Sequence, residues 1–152
     1  MEKEQPLRIF CRNSTLNAAV RGHKVKLVLA NPSDKSQHWI RDYSAVGHLT
    51  DDNGSRAFAL VNITTGQAMV NVAGAGEVRL APYSSHVAVE LSKLWTTGAK
   101  GRDGFAEVKV LQDVDYTLNG INGNVKEGTV VGTYTSEQTD NALWKIVPVN
   151  EE

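Results

Sequence analysis

The spacing of three tryptophans is the feature that most constrains the fold of this chain. Trp39, Trp95 and Trp144 lie 56 and 49 residues apart, and each closes a stretch of short apolar segments and turns. A polar residue stands three positions before each of them, namely Ser36, Ser92 and Asn141. A period of about 50 residues predicts three copies of one unit that bury a shared core by packing together.

The local patterns between the tryptophans are those of β-strands and turns. Apolar, basic and apolar residues alternate at residues 25–27, 78–80, 108–110 and 144–146, as expected of half-buried strands. Turn-forming residues occur at 31–34, 52–55, 119–120 and 122–124. Only residues 85–95, with Val87, Leu91 and Leu94 on a common face, favour a short helix or a 3₁₀ turn.

Three repeats of about four strands predict an all-β chain with the β-trefoil fold, in which the tryptophans meet near the pseudo-threefold axis. We expect residues 1–6 to form an N-terminal tail and residues 7–149 to form one domain. The length of 152 residues is enough for one such core without disulfides or metal.

Composition disfavours several classes of function. The net charge is −1 and the basic residues are scattered along the sequence, so nucleic acid is not an expected partner. No apolar run is long enough to cross a membrane, and the charged start lacks a secretory signal, which favours the cytosol. A lone Cys11 is expected to be a packed, reduced thiol.

No pattern in the sequence predicts chemistry. The four histidines do not form a ligand pair, so no metal is expected, and Asp113-Val114-Asp115 is interpreted as a solvated loop. Catalytic motifs such as a nucleophile elbow, a phosphate loop or H-E-x-x-H are missing, so we expect neither an enzyme nor a cofactor.

The segment Gln37-His38-Trp39 resembles the Q-x-W signature of ricin-B-type lectin repeats. Residues 31–39, 57–68, 78–83, 94–96, 128–131 and 140–148 resemble, in the same order, the plant Euonymus-lectin-type or R40 family. The resemblance covers about residues 7–148. It implies a stress-related protein of the cytoplasm and nucleus that binds mannose-rich or galactose-containing glycans.

The resemblance also implies where a sugar would bind. A ricin-B-type site uses an acidic residue, an aromatic residue on the following hairpin, and an Asn-Gln pair before the Q-x-W tryptophan. The first repeat has Gln37, but the hairpin positions upstream of it are Leu27, Val28 and Leu29, which offer no ring for stacking. The second repeat has Tyr83 at a hairpin position but lacks both the carboxylate and the amide pair.

The third repeat keeps most of this pattern, so Asn119, Tyr134 and Asn141 are predicted to bind carbohydrate. The third repeat departs from the family pattern at two positions. Asn119 occupies the place of the usual aspartate, and Ala142 that of the usual glutamine. The alternatives are that Asn119-Gly120 is simply a turn, that Tyr134 covers the barrel mouth, and that the domain has lost sugar binding and serves protein interactions.

Overall fold

A computed structural model describes residues 5–44, 47–86 and 88–150. Those residues contain thirteen strands and four short 3₁₀ turns. The strands are β1 (Leu7–Cys11), β2 (Leu16–Arg21), β3 (Lys24–Leu29), β4 (Trp39–Asp42), β5 (Ala59–Asn62), β6 (Gln67–Val70), β7 (Gly76–Glu77), β8 (Arg79–Pro82), β9 (Trp95–Thr97), β10 (Val108–Val110), β11 (Asp113–Gly120), β12 (Val131–Thr135) and β13 (Trp144–Pro148).

The strands form two antiparallel sheets. One has the order β3-β2-β1-β4-β5-β6-β8, with β13 also paired to β1, and the other has the order β7-β12-β11-β10-β9. The pairing of β1 with β13 joins the two ends of the domain, from Leu7 opposite Pro148 to Cys11 opposite Trp144. Isolated bridges connect the two sheets, including Phe58 to Trp95. This arrangement is the predicted β-trefoil.

The tryptophans make the threefold repeat visible in atomic contacts. A 3₁₀ turn precedes each of them, at Lys35–Gln37, Leu91–Lys93 and Asp140–Ala142. Each indole Nε1 donates a hydrogen bond to a backbone carbonyl of its own repeat: Trp39 to Ala18 at 3.0 Å, Trp95 to Met69 at 3.2 Å and Trp144 to Leu118 at 2.8 Å. All three rings belong to one buried cluster, which confirms that they share a core.

Two local predictions were wrong. Asn119 and Gly120 are the last residues of β11, opposite Gly132 and Val131, rather than a turn. The turn follows directly in the 3₁₀ segment Ile121–Gly123, where Asn122 adopts a φ of 65°. The Asn-Gly signal is therefore overridden by pairing with β12.

The segment Asp113–Asp115 was predicted as a loop but begins the same strand, β11. Its two carboxylate residues are exposed, so the interpretation as a solvated segment holds while the assignment as loop does not. Among the described residues of the segment 85–95, the only helical element is the 3₁₀ turn Leu91–Lys93, and Trp95 begins β9. Val87 lies outside the described residues.

Cys11 is a packed thiol, as predicted. Its side chain is buried in β1, and that burial raises its pKa to about 11. A thiol with this pKa stays protonated at neutral pH and is a poor nucleophile.

The loop before Trp39 is held by a carboxylate. Asp34 accepts hydrogen bonds from the backbone N–H and the hydroxyl of Ser36, at 3.0 and 2.6 Å, and from the guanidinium of Arg21 at 3.0 Å. The Ser36 hydroxyl and the Arg21 guanidinium lower the pKa of Asp34 from 3.8 to about 2. A pKa lowered by folding means that the ionised carboxylate stabilises the folded state.

We expect Asp34→Asn to cost about 1 kcal/mol of unfolding free energy at pH 6, because the amide keeps an acceptor for Ser36 but loses the charge facing Arg21. The stabilisation is fully present above pH 4 and is lost as the pH falls towards 2. Urea denaturation of both proteins at pH 6, 4 and 2.5 measures this difference. A difference that stays constant with pH would contradict the assigned role of the charge.

Candidate functional site

The three predicted residues line one cleft of about 550 Å³. Asn119 reaches it from β11, Tyr134 from β12, and Asn141 from the 3₁₀ turn before Trp144. The opposite wall comes from the second repeat through Ala75 and Gly76. The structure therefore brings together residues that lie 22 positions apart in the sequence, and adds a wall from another repeat.

The wall formed by Ala75 and Gly76 lies close to β12 because residue 132 is a glycine. Strand β7 pairs with β12, where Gly76 lies opposite Thr133. A Cβ atom on Gly132 would collide with the carbonyl oxygen of Gly76, so a side chain at position 132 would push the two strands apart. The Thr133 hydroxyl adds a hydrogen bond of 2.7 Å to the carbonyl of Gly74.

Asn119 carries an unsatisfied acceptor at this cleft. Asn119 is only 3% exposed, and its Oδ1 has no hydrogen-bond partner among the described residues. Leaving a buried polar atom unpaired costs about 1–3 kcal/mol. A hydroxyl group that reached this oxygen would recover part of that cost by donating a hydrogen bond to it.

Asn141 is buried and already bonded. Its Nδ2 donates to the carbonyl of Gly120 at 3.0 Å, and its Oδ1 accepts from the Thr139 hydroxyl at 2.5 Å. These contacts tie the loop before Trp144 to the end of β11. One N–H of the carboxamide remains for a ligand, so Asn141 serves mainly to shape the cleft.

Tyr134 is the exposed aromatic residue of the cleft. It lies opposite Thr117 in the β11–β12 pair, and 48% of its surface is accessible. The face of such a ring can cover the apolar side of a pyranose, while its hydroxyl can exchange hydrogen bonds.

Glu137 is a lining residue that the sequence did not single out. This exposed residue lies in the loop between Tyr134 and Asn141 and lines the same cleft. It supplies a charged acceptor, the group that Asn119 lacks relative to the family pattern. The sequence pattern did not indicate Glu137 because a loop position cannot be aligned between repeats when the loop geometry is unknown.

The corresponding residues of the other repeats have structural contacts. Gln37 is buried, and its carboxamide bonds to the carbonyl of Leu29 and to the N–H of Asn31. The hydroxyl of Tyr83 donates to Asp42 at 2.6 Å, and its ring packs against a small buried apolar cluster. Ala142, which replaces the usual glutamine in the third repeat, is fully buried.

Residues 5–44, 47–86 and 88–150 contain neither a metal-binding cluster nor a membrane-spanning helix. No group of three or more His, Cys, Asp or Glu side chains is placed to hold a metal ion. Within the same ranges, no helix is long and apolar enough to span a membrane.

Comparison with known proteins identifies the family. No family model matches the chain. It is 36% identical to the ricin B-like lectin R40C1 of Oryza sativa subsp. japonica, 34% to R40G3 of the same plant, and 34% to EULS3 of Arabidopsis thaliana. These matches cover 95%, 93% and 87% of the chain.

The chain belongs to the ricin B-like lectin family of R40 proteins. It spans 72% of R40G3 but only 43% of R40C1 and of EULS3, so it corresponds to less than half of those two relatives.

Solved structures agree on the fold. A ricin B-like lectin of Macrolepiota procera in complex with lactose has a TM-score of 0.72 at 13% identity, covering 97% of this chain and 98% of that protein. The C-terminal half of an earthworm R-type lectin in complex with GalNAc has a TM-score of 0.64 at 13% identity, covering 95% and 98%. At these identities the likeness shows the fold alone.

Proposed function

We propose that this protein binds carbohydrate, without catalysis, through the cleft formed by Asn119, Tyr134, Glu137 and Asn141. The observation that carries the proposal is the pairing of an exposed aromatic face at Tyr134 with the unpartnered buried oxygen of Asn119 in one cleft. A sugar ring offers the complementary surface, an apolar face beside hydroxyl donors.

The size and chemistry of the cleft support a small glycan. Ligand pockets span about 300–1,000 Å³, and this cleft of about 550 Å³ lies within that range. In the binding mode we propose, the ring stacks on Tyr134 while its hydroxyls donate to Asn119 Oδ1 and to the Glu137 carboxylate. The lectin names of the relatives support recognition rather than reaction.

A glycan array on the purified protein tests the proposal. We expect selective binding, and mannose-rich and galactose-containing glycans are the first candidates. Because Glu137→Gln keeps an acceptor but loses the charge that strengthens the hydrogen bond by about 1 kcal/mol, it should weaken binding by about fivefold. The matched control is Glu90→Gln, which removes an exposed carboxylate away from the cleft. A blank array with the folded wild type would contradict the proposal.

A second candidate function is a protein-interaction module. It is favoured by Asn141 and Ala142, because the carboxamide of Asn141 is engaged by the protein itself and the buried alanine offers no ligand contact. Pull-downs from plant extract with and without competing sugar distinguish the two functions. Capture that free sugar abolishes supports the lectin, whereas capture that sugar leaves intact supports the interaction module.

A further inference from the structure

A second, smaller cleft collects positive charge. It has a volume of about 200 Å³ and is lined by Arg41 from β4, Lys100 from the loop after β9, and Lys145 from β13. Trp144 and Val108 are among the apolar residues that complete it. No carboxylate lines this basic cleft among the residues that the structure describes.

The three cations are not neutralised by ion pairs within the described residues. The ion pairs found there involve other cations, namely Arg12, Arg21 and Lys24. The Nζ of Lys145 lies 4.8 Å from the ring centroid of Phe105, and the guanidinium of Arg41 lies 5.7 Å from that of Phe58. Aromatic rings hold a cation in place without cancelling its charge.

An adjoining cleft extends the positive field. Lys100 lines both the basic cleft and this adjoining cleft. The adjoining cleft also contains the cations Arg12, Arg102 and Lys109 and the carboxylates Asp103 and Glu107. The two clefts together present six cationic side chains and two carboxylates, although the whole chain has a net charge of −1. Charges that are scattered in the sequence are therefore gathered by the fold.

We propose that the basic cleft binds a tetrahedral oxyanion, a phosphate or sulfate group that is either free or esterified to a larger ligand. Its volume lies below that of drug-sized ligand pockets, which favours a single small group. The guanidinium of Arg41 offers paired donors to such an anion. Apolar walls beside charges of one sign strengthen the local field, so the anion is attracted even though the protein is weakly acidic overall.

The basic cleft is separate from the cleft around Asn119 and Tyr134, which we call the glycan cleft, since the two share no lining residue. The proposal therefore does not depend on sugar binding. A ligand carrying both a sugar and an anionic group would have two separate surfaces available to it.

Titration of the isotope-labelled full chain with sodium phosphate and with sodium sulfate, followed by NMR, tests the oxyanion site. Sodium chloride at matched ionic strength is the reference for screening. We expect saturable shifts at the amides of Lys100, Gly104 and Lys145, with the amides of Asn119 and Thr133 unchanged. Shifts that sodium chloride reproduces would overturn the proposal.

Charge-neutral variants locate the site. We expect about tenfold weaker phosphate binding for each of Arg41→Gln, Lys100→Gln and Lys145→Gln. The controls are Arg79→Gln and Lys126→Gln, which lie outside the basic cleft and the adjoining cleft and should leave phosphate binding unchanged. Lys100 is exposed, so its variant is expected to keep the fold if Arg41→Gln does not. Equal affinity of folded Lys100→Gln and wild type would overturn the site.

The source of the anion is decided by comparing glucose 6-phosphate with inorganic phosphate. If the ester binds more tightly than inorganic phosphate and Lys100→Gln loses this binding, the natural ligand is an esterified anion. If the two bind equally, the ligand is the free anion. Both results support the site. Failure of inorganic phosphate, sulfate and the ester to bind would refute it.

Discussion

Tyr134→Ala is expected to abolish measurable glycan binding while leaving the protein folded. Simple lectin sites bind monosaccharides at about millimolar affinity, which corresponds to roughly −4 kcal/mol. Removing the ring takes away the apolar surface on which the sugar packs, and burial of such a side chain contributes about 1.5–3 kcal/mol. The loss should therefore exceed tenfold, and it is measured by calorimetric titration with a glycan selected on the array.

Two controls separate stacking from a general disturbance. Tyr134→Phe keeps the ring and should remain within about threefold of the wild type. Tyr83→Phe removes the hydroxyl that bonds to Asp42 in the second repeat and should leave sugar binding unchanged. Undiminished binding by Tyr134→Ala would show that the sugar lies elsewhere on the trefoil.

Trp95→Ala should cost about 3–5 kcal/mol of unfolding free energy, since truncating a fully buried tryptophan removes a large apolar surface and leaves a cavity. The carbonyl of Met69 also loses its indole donor. Small domains have only about 5–15 kcal/mol of stability, so this variant should unfold at much lower urea concentration.

The threefold repeat gives that experiment an internal comparison. Trp39→Ala and Trp144→Ala should have similar effects, because each indole is buried in the same cluster and bonds to an equivalent carbonyl. Trp95→Phe should lose less than Trp95→Ala, since it keeps an aromatic ring in the core. A loss below about 1 kcal/mol in any one alanine variant would contradict the equivalence of the repeats.

The architecture was predictable from the sequence because its signals are local and repeated. The spacing of Trp39, Trp95 and Trp144 indicated three units, and alternating segments such as residues 108–110 indicated strands. The buried cluster formed by the three rings confirms that reasoning. Local turn chemistry was less dependable, since Asn119-Gly120 is incorporated into β11 by pairing with β12.

The cleft was predictable only in part. Asn119, Tyr134 and Asn141 were predicted from the resemblance of the third repeat to ricin-B-type repeats, and the structure brings all three to one place. Glu137 and the wall at Gly76 could not be predicted, because a loop conformation and a contact between repeats decide their positions. The basic cleft was hidden for the same reason, since Arg41, Lys100 and Lys145 approach one another only through the fold.

The central claim is that the third-repeat cleft is the glycan site, and the most direct test is an NMR titration of the isotope-labelled protein with a glycan selected on the array. The proposal predicts saturable shifts at the amides of Asn119, Thr133, Tyr134 and Glu137, with the region around Tyr83 unchanged. Shifts centred on another repeat would contradict it.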